Sequence, residues 1–265
     1  MRKENPKTSS LSLRFLIFVL LFLFSCLFRL EVRQGGEREG IANFTLDWDG
    51  KVLLLMADGE YLLKVDTNLL PLETIPLPQR IFNPNKVLAN FSYLFITNSQ
   101  NLFILERKSG SFKRIYSEGE ISDFTLSPFG EVVLGIKNDW WLKKIDRFFR
   151  LQNFSPSPIN PSFLSLTYFG DNLYLLNQKK GEILSYRMGN FQPLASGAEM
   201  IDCRFPPYQE EREIFLFSPK GKILKLQKEG KISLVGNFNP LKSFFAQGDF
   251  LFLLTDDSQI KKVKR

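Results

Sequence analysis

Two stretches of the sequence decide the fold: residues 44–56 read FTLDWDGKVLLLM, and residues 124–136 read FTLSPFGEVVLGI. The two stretches are nearly the same sequence motif, and they begin eighty residues apart. Each places an apolar run on either side of a Gly-containing turn, which is typical of two short strands joined by a hairpin. A phrase that returns at a fixed distance indicates an internal repeat.

The turn that follows this phrase has six copies along the chain. Each copy has a polar or Gly-containing turn, then an apolar position, then a second apolar position three residues later. The first apolar positions are separated by 40, 40, 41, 40 and 37 residues, so the distance of eighty is two repeats. These positions are Leu62, Leu102, Leu142, Ile183, Ile223 and Ile260.

A period near 40 with several short strands per unit is the sequence form of a β-propeller, in which each unit is one four-stranded blade. In the third unit the predicted strands read ISDFTL, EVVLGI, WLKKID and FRLQNF. LSPFGEVVL resembles the SPDGKxL motif of TolB-like propellers. In its length and in the positions of its turns, the repeat is similar to those of six-bladed propellers of the TolB and NHL types. We expect an all-β fold: a six-bladed β-propeller over residues 41–265, preceded by a single N-terminal hydrophobic helix.

The two ends of the chain bear on how the ring closes. The sixth unit stops at the end of its third strand, so its outermost strand is missing. Residues 31–40 are either a tether or part of the missing strand, for which Leu30-Glu31-Val32-Arg33 has the required alternation. A strand supplied in this way would also cover an exposed sheet edge.

The first 30 residues read as a signal sequence or a membrane anchor. Residues 15–28, FLIFVLLFLFSCLF, carry no charge and follow a basic stretch. As a helix they would span ~21 Å, which suits the apolar region of a secretory signal. Leu23-Phe24-Ser25-Cys26 resembles a bacterial lipobox, which implies lipidation at Cys26. The alternative is an uncleaved anchor from Leu11 to Leu30, and both interpretations place the propeller outside the cytoplasm.

Charge and composition exclude several classes of function. The net charge is +7, but the excess lies in the first 28 and the last five residues, so the body is balanced and no nucleic-acid partner is expected. The chain has no histidine, which excludes Ser-His-Asp triads and histidine-ligated metals. No cofactor is predicted.

Three polar residues are candidates for the axis of the propeller. Asn43 and Asp123 stand nineteen residues before Leu62 and Leu142, and the fifth unit, which carries an insertion at PPYQEER (residues 206–212), offers Asp202. We expect all three to open the innermost strand of a blade and to face the central channel. There they either bind a cation or polar ligand together, or line a wet channel as solvated groups.

Trp140 and Trp141 stand together at the predicted hairpin turn of the third unit. Neighbouring residues of a strand point to opposite faces, so one of the two must turn away from the core. An exposed aromatic side chain at a turn indicates a contact site. Packing against the neighbouring blade is the alternative for Trp140.

Two functions remain open. The first is a non-catalytic scaffold of the cell envelope, anchored at the membrane through its N-terminal segment and holding a protein or glycan on one face of a monomeric ring. The resemblance to TolB-like propellers implies protein contacts. The second is an enzyme similar to the six-bladed sugar-lactone hydrolases, with a divalent metal at the axis and Asn43, Asp123 and Asp202 as its ligands.

Overall fold

The computed structural model describes residues 40–146, 148–154, 164–187, 189–210, 212–227 and 230–265. The predicted N-terminal helix, Cys26 and residues 31–39 lie outside this part of the chain. Within it, no helix combines the length and the apolar character needed to cross a membrane. The described secondary structure consists of β-strands and one short 3₁₀ helix, Ala198–Met200, which confirms the all-β class.

The strands form six antiparallel sheets, which we number as blades 1 to 6 in chain order. Blade 1 contains β1 (Ile41–Leu46), β2 (Val52–Met56), β3 (Tyr61–Val65) and β4 (Pro71–Pro76). Blade 2 contains β5 (Lys86–Ala89), β6 (Tyr93–Thr97), β7 (Asn101–Glu106) and β8 (Phe112–Tyr116). Blade 3 contains β9 (Ile121–Leu126), β10 (Val132–Ile136), β11 (Lys143–Ile145) and β12 (Leu151–Asn153), which confirms the four strands predicted for this unit.

The remaining three blades follow the same order. Blade 4 contains β13 (Leu164–Phe169), β14 (Asn172–Asn177), β15 (Glu182–Arg187) and β16 (Asn190–Ser196). Blade 5 contains β17 (Ile214–Phe217), β18 (Lys222–Leu226) and β19 (Ile232–Asn237). Blade 6 contains β20 (Leu241–Gln247), β21 (Phe250–Thr255) and β22 (Ile260–Lys264). The six-bladed propeller resemblance is thereby confirmed.

The repeated phrase marks the turn between the first two strands of a blade. In blade 1 the Gly50 N–H donates to the Asp47 carbonyl over 3.0 Å, and in blade 3 the Gly130 N–H donates to the Ser127 carbonyl over 2.9 Å. Both glycines have positive φ, 76° and 81°, a conformation that costs a side-chain-bearing residue free energy. The same turn geometry therefore requires the same residue in both copies.

Among the described residues, six clusters of buried side chains form the core, one at each interface between neighbouring blades. Blades 3 and 4, for example, meet through Val133, Leu142, Leu166 and Leu175, all of which are buried. The two faces of an isolated blade would both be apolar, so each blade buries its faces only between its neighbours. The propeller core is thus a ring of sheet-to-sheet contacts.

The last of these interfaces closes the ring within the described residues. Phe44 and Leu54 of blade 1 pack against Phe245 and Phe252 of blade 6. The rings of Phe245 and Phe252 are stacked with centroids 4.8 Å apart, and the Phe44 ring lies 5.0 Å from Phe245. Blade 1 and blade 6 are therefore joined by a packed apolar seam. Whether an N-terminal strand pairs with β22 concerns residues outside the described chain.

Blade 5 departs from the four-stranded pattern at its inner edge. Instead of an inner strand it has a single bridge between Arg204 and Phe217. Pro206 and Pro207 follow directly, and proline cannot donate a hydrogen bond to a strand ladder. The side chain of Gln209 replaces the missing backbone: its amide nitrogen donates to the Phe215 carbonyl over 3.0 Å, and its oxygen accepts the Phe215 N–H over 2.8 Å.

Candidate functional site

The face of the propeller at which the innermost strands begin carries the candidate sites, and we call it the cavity face. Strand direction alternates within a blade, so the turn between the second and third strands lies at the same end as the start of the first strand. Lys86 at the start of β5 and Trp140 in the turn between β10 and β11 therefore belong to the same face.

A cavity of about 240 Å³ opens at the centre of the cavity face, and we call it the axial cavity. All six blades contribute to it. Its polar and charged lining is Asn43, Asn85, Lys86, Thr97, Ser122, Asp123, Ser165, Gln178, Arg204, Lys242 and Ser243. The sequence prediction that Asn43 and Asp123 face the axis agrees with this placement.

Asp123 is held by donors from its own and neighbouring blades. Its Oδ1 accepts from Lys86 Nζ over 2.6 Å, and its Oδ2 accepts from Ser165 Oγ and from the Leu166 N–H, both over 2.8 Å. Ser165 Oγ in turn accepts the Phe205 N–H of blade 5 over 2.9 Å. Both carboxylate oxygens are therefore engaged, and the network joins blades 2, 3, 4 and 5 at the axis.

Asn43 and Asp123 occupy equivalent positions in their blades, and Ser243 is the third member of this set. Each follows a β-bulge at the second residue of its inner strand, namely Ala42, Ser122 or Lys242. Bulges re-aim side chains and are frequent beside functional sites. Repeat spacing did not indicate Ser243, because the turn between β20 and β21 is shorter than the corresponding turns of blades 1 and 3, and nineteen residues before Ile260 is Leu241.

Asp202 does not lie where the sequence analysis placed it. It is exposed, has a left-handed backbone with φ 63°, and follows the 3₁₀ helix Ala198–Met200 rather than opening an inner strand. Arg204 and Phe205 line the axial cavity in its place. Nineteen residues before Ile223 is Arg204, which does line the cavity; it was the allowance for the insertion containing Pro206 and Pro207 that moved the assignment to Asp202.

The axial cavity contains basic residues that the sequence analysis did not single out. Lys86, Arg204 and Lys242 line it, whereas Asp123 is its one acidic lining residue among those described. Lys86 pairs with Asp123, and Lys242 Nζ donates to Ser258 Oγ over 2.7 Å. In the described chain no three His, Cys, Asp or Glu residues are grouped as metal ligands would be.

A second site on the cavity face is a groove between the outer parts of blades 2 and 3, which we call the Trp140 groove. Its volume is about 670 Å³. Trp140 is 59% exposed and Tyr116, on β8, is 58% exposed, and both line the groove. Trp141 is half-buried, so it is Trp140 that turns away from the core. The polar and charged residues of the lining are Glu118, Lys137, Asn138, Asp139, Lys143, Arg150, Gln152 and Asn153.

The loop that presents Trp140 is fixed by hydrogen bonds. Asn138 adopts a left-handed backbone with φ 63°, and the following Asp139 N–H donates to the Ile136 carbonyl over 3.1 Å. The Asp139 carboxylate accepts the Trp141 N–H over 2.9 Å and forms an ion pair with Lys143 over 2.9 Å. Trp140 therefore projects from an ordered turn, which reduces the entropic cost of binding through it.

The opposite face, at which the innermost strands end, is richer in exposed aromatic side chains. Trp48, Phe91 and Phe129 occupy the first turns of blades 1, 2 and 3, and the rings of Trp48 and Phe91 meet edge to face at 4.9 Å. A cavity of about 350 Å³ opens here and is lined in part by Tyr168. Burial, with a further contribution from Glu131, raises the pKa of Tyr168 to about 12, so this phenol is neutral at pH 7.

A buried ionic cluster lies between blades 1 and 2. The Asp47 side chain is fully buried and pairs with Lys64 over 3.0 Å and with Arg107. Burial alone would lower the pKa of Lys64, but hydrogen bonds and charge from Asp49 and Asp47 outweigh it, and the pKa is raised. Because its charges are paired and enclosed, this cluster is a contact between blades rather than a binding site.

No protein-family model and no curated protein sequence matches the chain. Solved structures do resemble it. One is virginiamycin B lyase from Staphylococcus aureus, at 13% identity and a TM-score of 0.63, covering 86% of this chain and 85% of that one. That structure is of a catalytically inactive variant, in which one histidine is replaced by alanine, with quinupristin.

Two further similar structures are auxiliary nutrient binding proteins. The protein from Bacteroides thetaiotaomicron is 12% identical with a TM-score of 0.65, covering 85% of this chain and 69% of that one. The protein from Bacteroides ovatus is 12% identical with a TM-score of 0.63, covering 87% and 71% of the two chains. At these identities the likeness shows a common propeller fold, which hosts both an enzyme and binding proteins.

Proposed function

We propose that the protein is a non-catalytic binding module of the cell envelope, tethered at the membrane through its N-terminal segment, that holds a glycan in the Trp140 groove. The observation that carries this proposal is the pair of exposed aromatic side chains, Trp140 and Tyr116, lining one groove on the cavity face. Aromatic rings combine a large apolar surface with a polar edge, and they dominate the energetics of many contact sites.

The chemistry of the groove favours a glycan over an apolar ligand. A sugar ring presents C–H groups on its faces and hydroxyl groups around its edge, so it can lie on an aromatic ring while polar side chains bind its rim. The Trp140 groove offers both kinds of group, since Gln152 and Asn153 stand beside the aromatic pair. Its volume of about 670 Å³ is in the range of ligand sites that enclose more than one ring.

The envelope location rests on the N-terminal sequence. An uncharged apolar run of fourteen residues follows basic residues, as in secretory signals and signal anchors. The auxiliary nutrient binding proteins of similar fold are compatible with a binding role. Mass spectrometry of the mature N-terminus tests the tether: a lipidated Cys26 or an intact Met1 supports it, whereas an unmodified terminus downstream of residue 30 contradicts it.

The enzymatic alternative finds less support at the axis. Asp123, its best candidate ligand, already pairs with Lys86 and accepts from Ser165, and Asp202 is not in the axial cavity. The similar lyase has a histidine whose replacement gives a catalytically inactive variant, and this chain has no histidine. Metal analysis of the purified protein tests the alternative, since one tightly held divalent ion per chain would favour a hydrolase.

A glycan array followed by calorimetric titration tests the groove. We expect Trp140→Ala to weaken the binding of the best glycan by at least about tenfold, because a stacking surface is lost. Trp48→Ala is the matched control, since Trp48 is 56% exposed but lies on the opposite face. Equal binding by wild type and Trp140→Ala would overturn the proposal. The proposal would also be overturned if the protein captured an envelope protein through Trp140 and bound no glycan.

A further inference from the structure

We propose that the axial cavity binds a small ligand bearing a carboxylate or a phosphate group, with Arg204 and Lys242 as the principal anion-binding residues. Three basic residues and one acidic residue line the cavity among those described. Lys86 and Asp123 neutralise each other over 2.6 Å, which leaves the charges of Arg204 and Lys242 uncompensated at the axis. A site with an excess of two positive charges attracts anions and repels metal cations.

Both residues retain free hydrogen-bond donors. Within the described chain the Arg204 guanidinium has no ion pair or hydrogen bond, and its side chain lies over the Phe217 ring at 5.7 Å. Lys242 uses one of its three ammonium donors on Ser258 Oγ. The bulge at Lys242 lies on the inner strand of blade 6, and Arg204 lies on the inner edge of blade 5. The two cations therefore approach the axis from neighbouring blades.

Neutral polar side chains in the same cavity also have hydrogen-bonding atoms that no described residue engages. Ser243 is 1% exposed, and its Oγ is buried with no hydrogen-bond partner among the described residues. Asn43 is 8% exposed, and only its Oδ1 is engaged, by the Phe44 N–H over 2.9 Å. A buried hydroxyl without a partner costs free energy, which a bound polar ligand would recover. The ligand is therefore expected to carry hydroxyl groups besides its anionic group.

The size of the cavity limits the ligand. A volume of about 240 Å³ corresponds to about eight water molecules at ~30 Å³ each. A single sugar acid or sugar phosphate satisfies this volume, whereas a polymer does not. The axial cavity and the Trp140 groove share no lining residue, so this inference stands independently of the proposed glycan site.

Calorimetric titration and ligand-induced thermal shift of the intact protein test the proposal with three probes. Sodium glucuronate and glucose 6-phosphate represent the two anionic groups, and glucose is the neutral counterpart. We expect at least one anion to bind at least about tenfold more tightly than glucose and to lose affinity as salt is raised. Which of the two anions binds more tightly shows whether the cavity recognises a carboxylate or a phosphate group.

Substitutions then locate the site. Arg204→Gln and Lys242→Gln are each expected to weaken anion binding at least about tenfold, since each removes a charge-assisted hydrogen bond. Lys108→Gln removes an exposed charge from the turn between β7 and β8, outside the cavity, and is expected to leave binding unchanged. Thermal unfolding of each variant shows whether it remains folded. Anion binding no tighter than glucose binding, or retained in a folded Arg204→Gln/Lys242→Gln double variant, overturns the proposal.

Discussion

At the scale of single residues, Asp123 is better explained as a joint between blades than as a ligand for a metal. Its side chain is 9% exposed, that of Lys86 is 13% exposed, and the two are paired over 2.6 Å. Removing one member of a buried pair leaves the other charge without compensation, which costs more than the pair itself contributes. The role of Asp123 can therefore be read from the stability of the protein.

We predict that Asp123→Asn lowers the free energy of unfolding by roughly 2–4 kcal/mol, because Lys86 is left partly buried and unpaired. The measurement is urea denaturation followed by circular dichroism. A double variant that adds Lys86→Met should recover part of this loss, since it removes the stranded charge. Unchanged stability of Asp123→Asn would contradict this role, and a loss of wild-type stability on addition of a chelator would instead indicate a metal ligand.

Sequence alone predicted some of the axial residues and missed others for a physical reason. Asn43 and Asp123 were found because blades 1 and 3 have the same spacing: each residue stands nineteen positions before the repeated apolar residue, Leu62 or Leu142. Lys242 and Ser243 were missed because the turn between β20 and β21 is shorter than those of blades 1 and 3, so that nineteen residues before Ile260 is Leu241. Where a loop or bulge sets the direction of a side chain, repeat spacing does not contain that information.

At the scale of elements, strands were the most predictable part of the molecule, since the inner strands of a blade are short apolar runs bounded by turn residues, such as β10, which is buried along its whole length. The exception is the inner edge of blade 5. There Gln209 makes with Phe215 the two hydrogen bonds that a neighbouring strand would make. A side chain that imitates backbone leaves no periodic signal, so only the insertion itself, with Pro206 and Pro207, was visible in the sequence.

The element-scale prediction is that Gln209→Met destabilises the protein by roughly 1–3 kcal/mol. Methionine keeps the length of the side chain but leaves the Phe215 N–H and carbonyl without partners in a buried setting. Gln100→Met is the control, because Gln100 is exposed on the turn between β6 and β7 and its side chain bonds to no described residue. Denaturation curves in urea compare the two. Equal stability of both variants would mean that water, rather than Gln209, completes this edge.

At the scale of the whole molecule, the seam between blades 1 and 6 differs from the other five interfaces because it closes the ring. Those five join blades that are adjacent in sequence, whereas the seam brings together Phe44 and Phe245, 201 residues apart. The entropic cost of closing a loop grows only slowly with its length, so one apolar cluster is enough to offset it. A closed ring gives every blade two neighbours, and the blades are then expected to unfold together.

The seam can be compared directly with an interface inside the ring. Phe245 and Phe103 are both buried, at 0% and 4% exposure, the first at the blade 1–6 seam and the second between blades 1 and 2. We predict that Phe245→Ala and Phe103→Ala each lower the free energy of unfolding by roughly 3–5 kcal/mol, because each leaves a cavity in a packed interface. We also expect each variant to unfold in one transition, because in a closed ring the loss of any interface destabilises all blades. Urea denaturation gives the cost, and hydrogen exchange of β1 and β20 shows where opening begins. A much smaller loss for Phe245→Ala, with early exchange confined to blades 1 and 6, would show that the propeller behaves as an open stack with a weak seam.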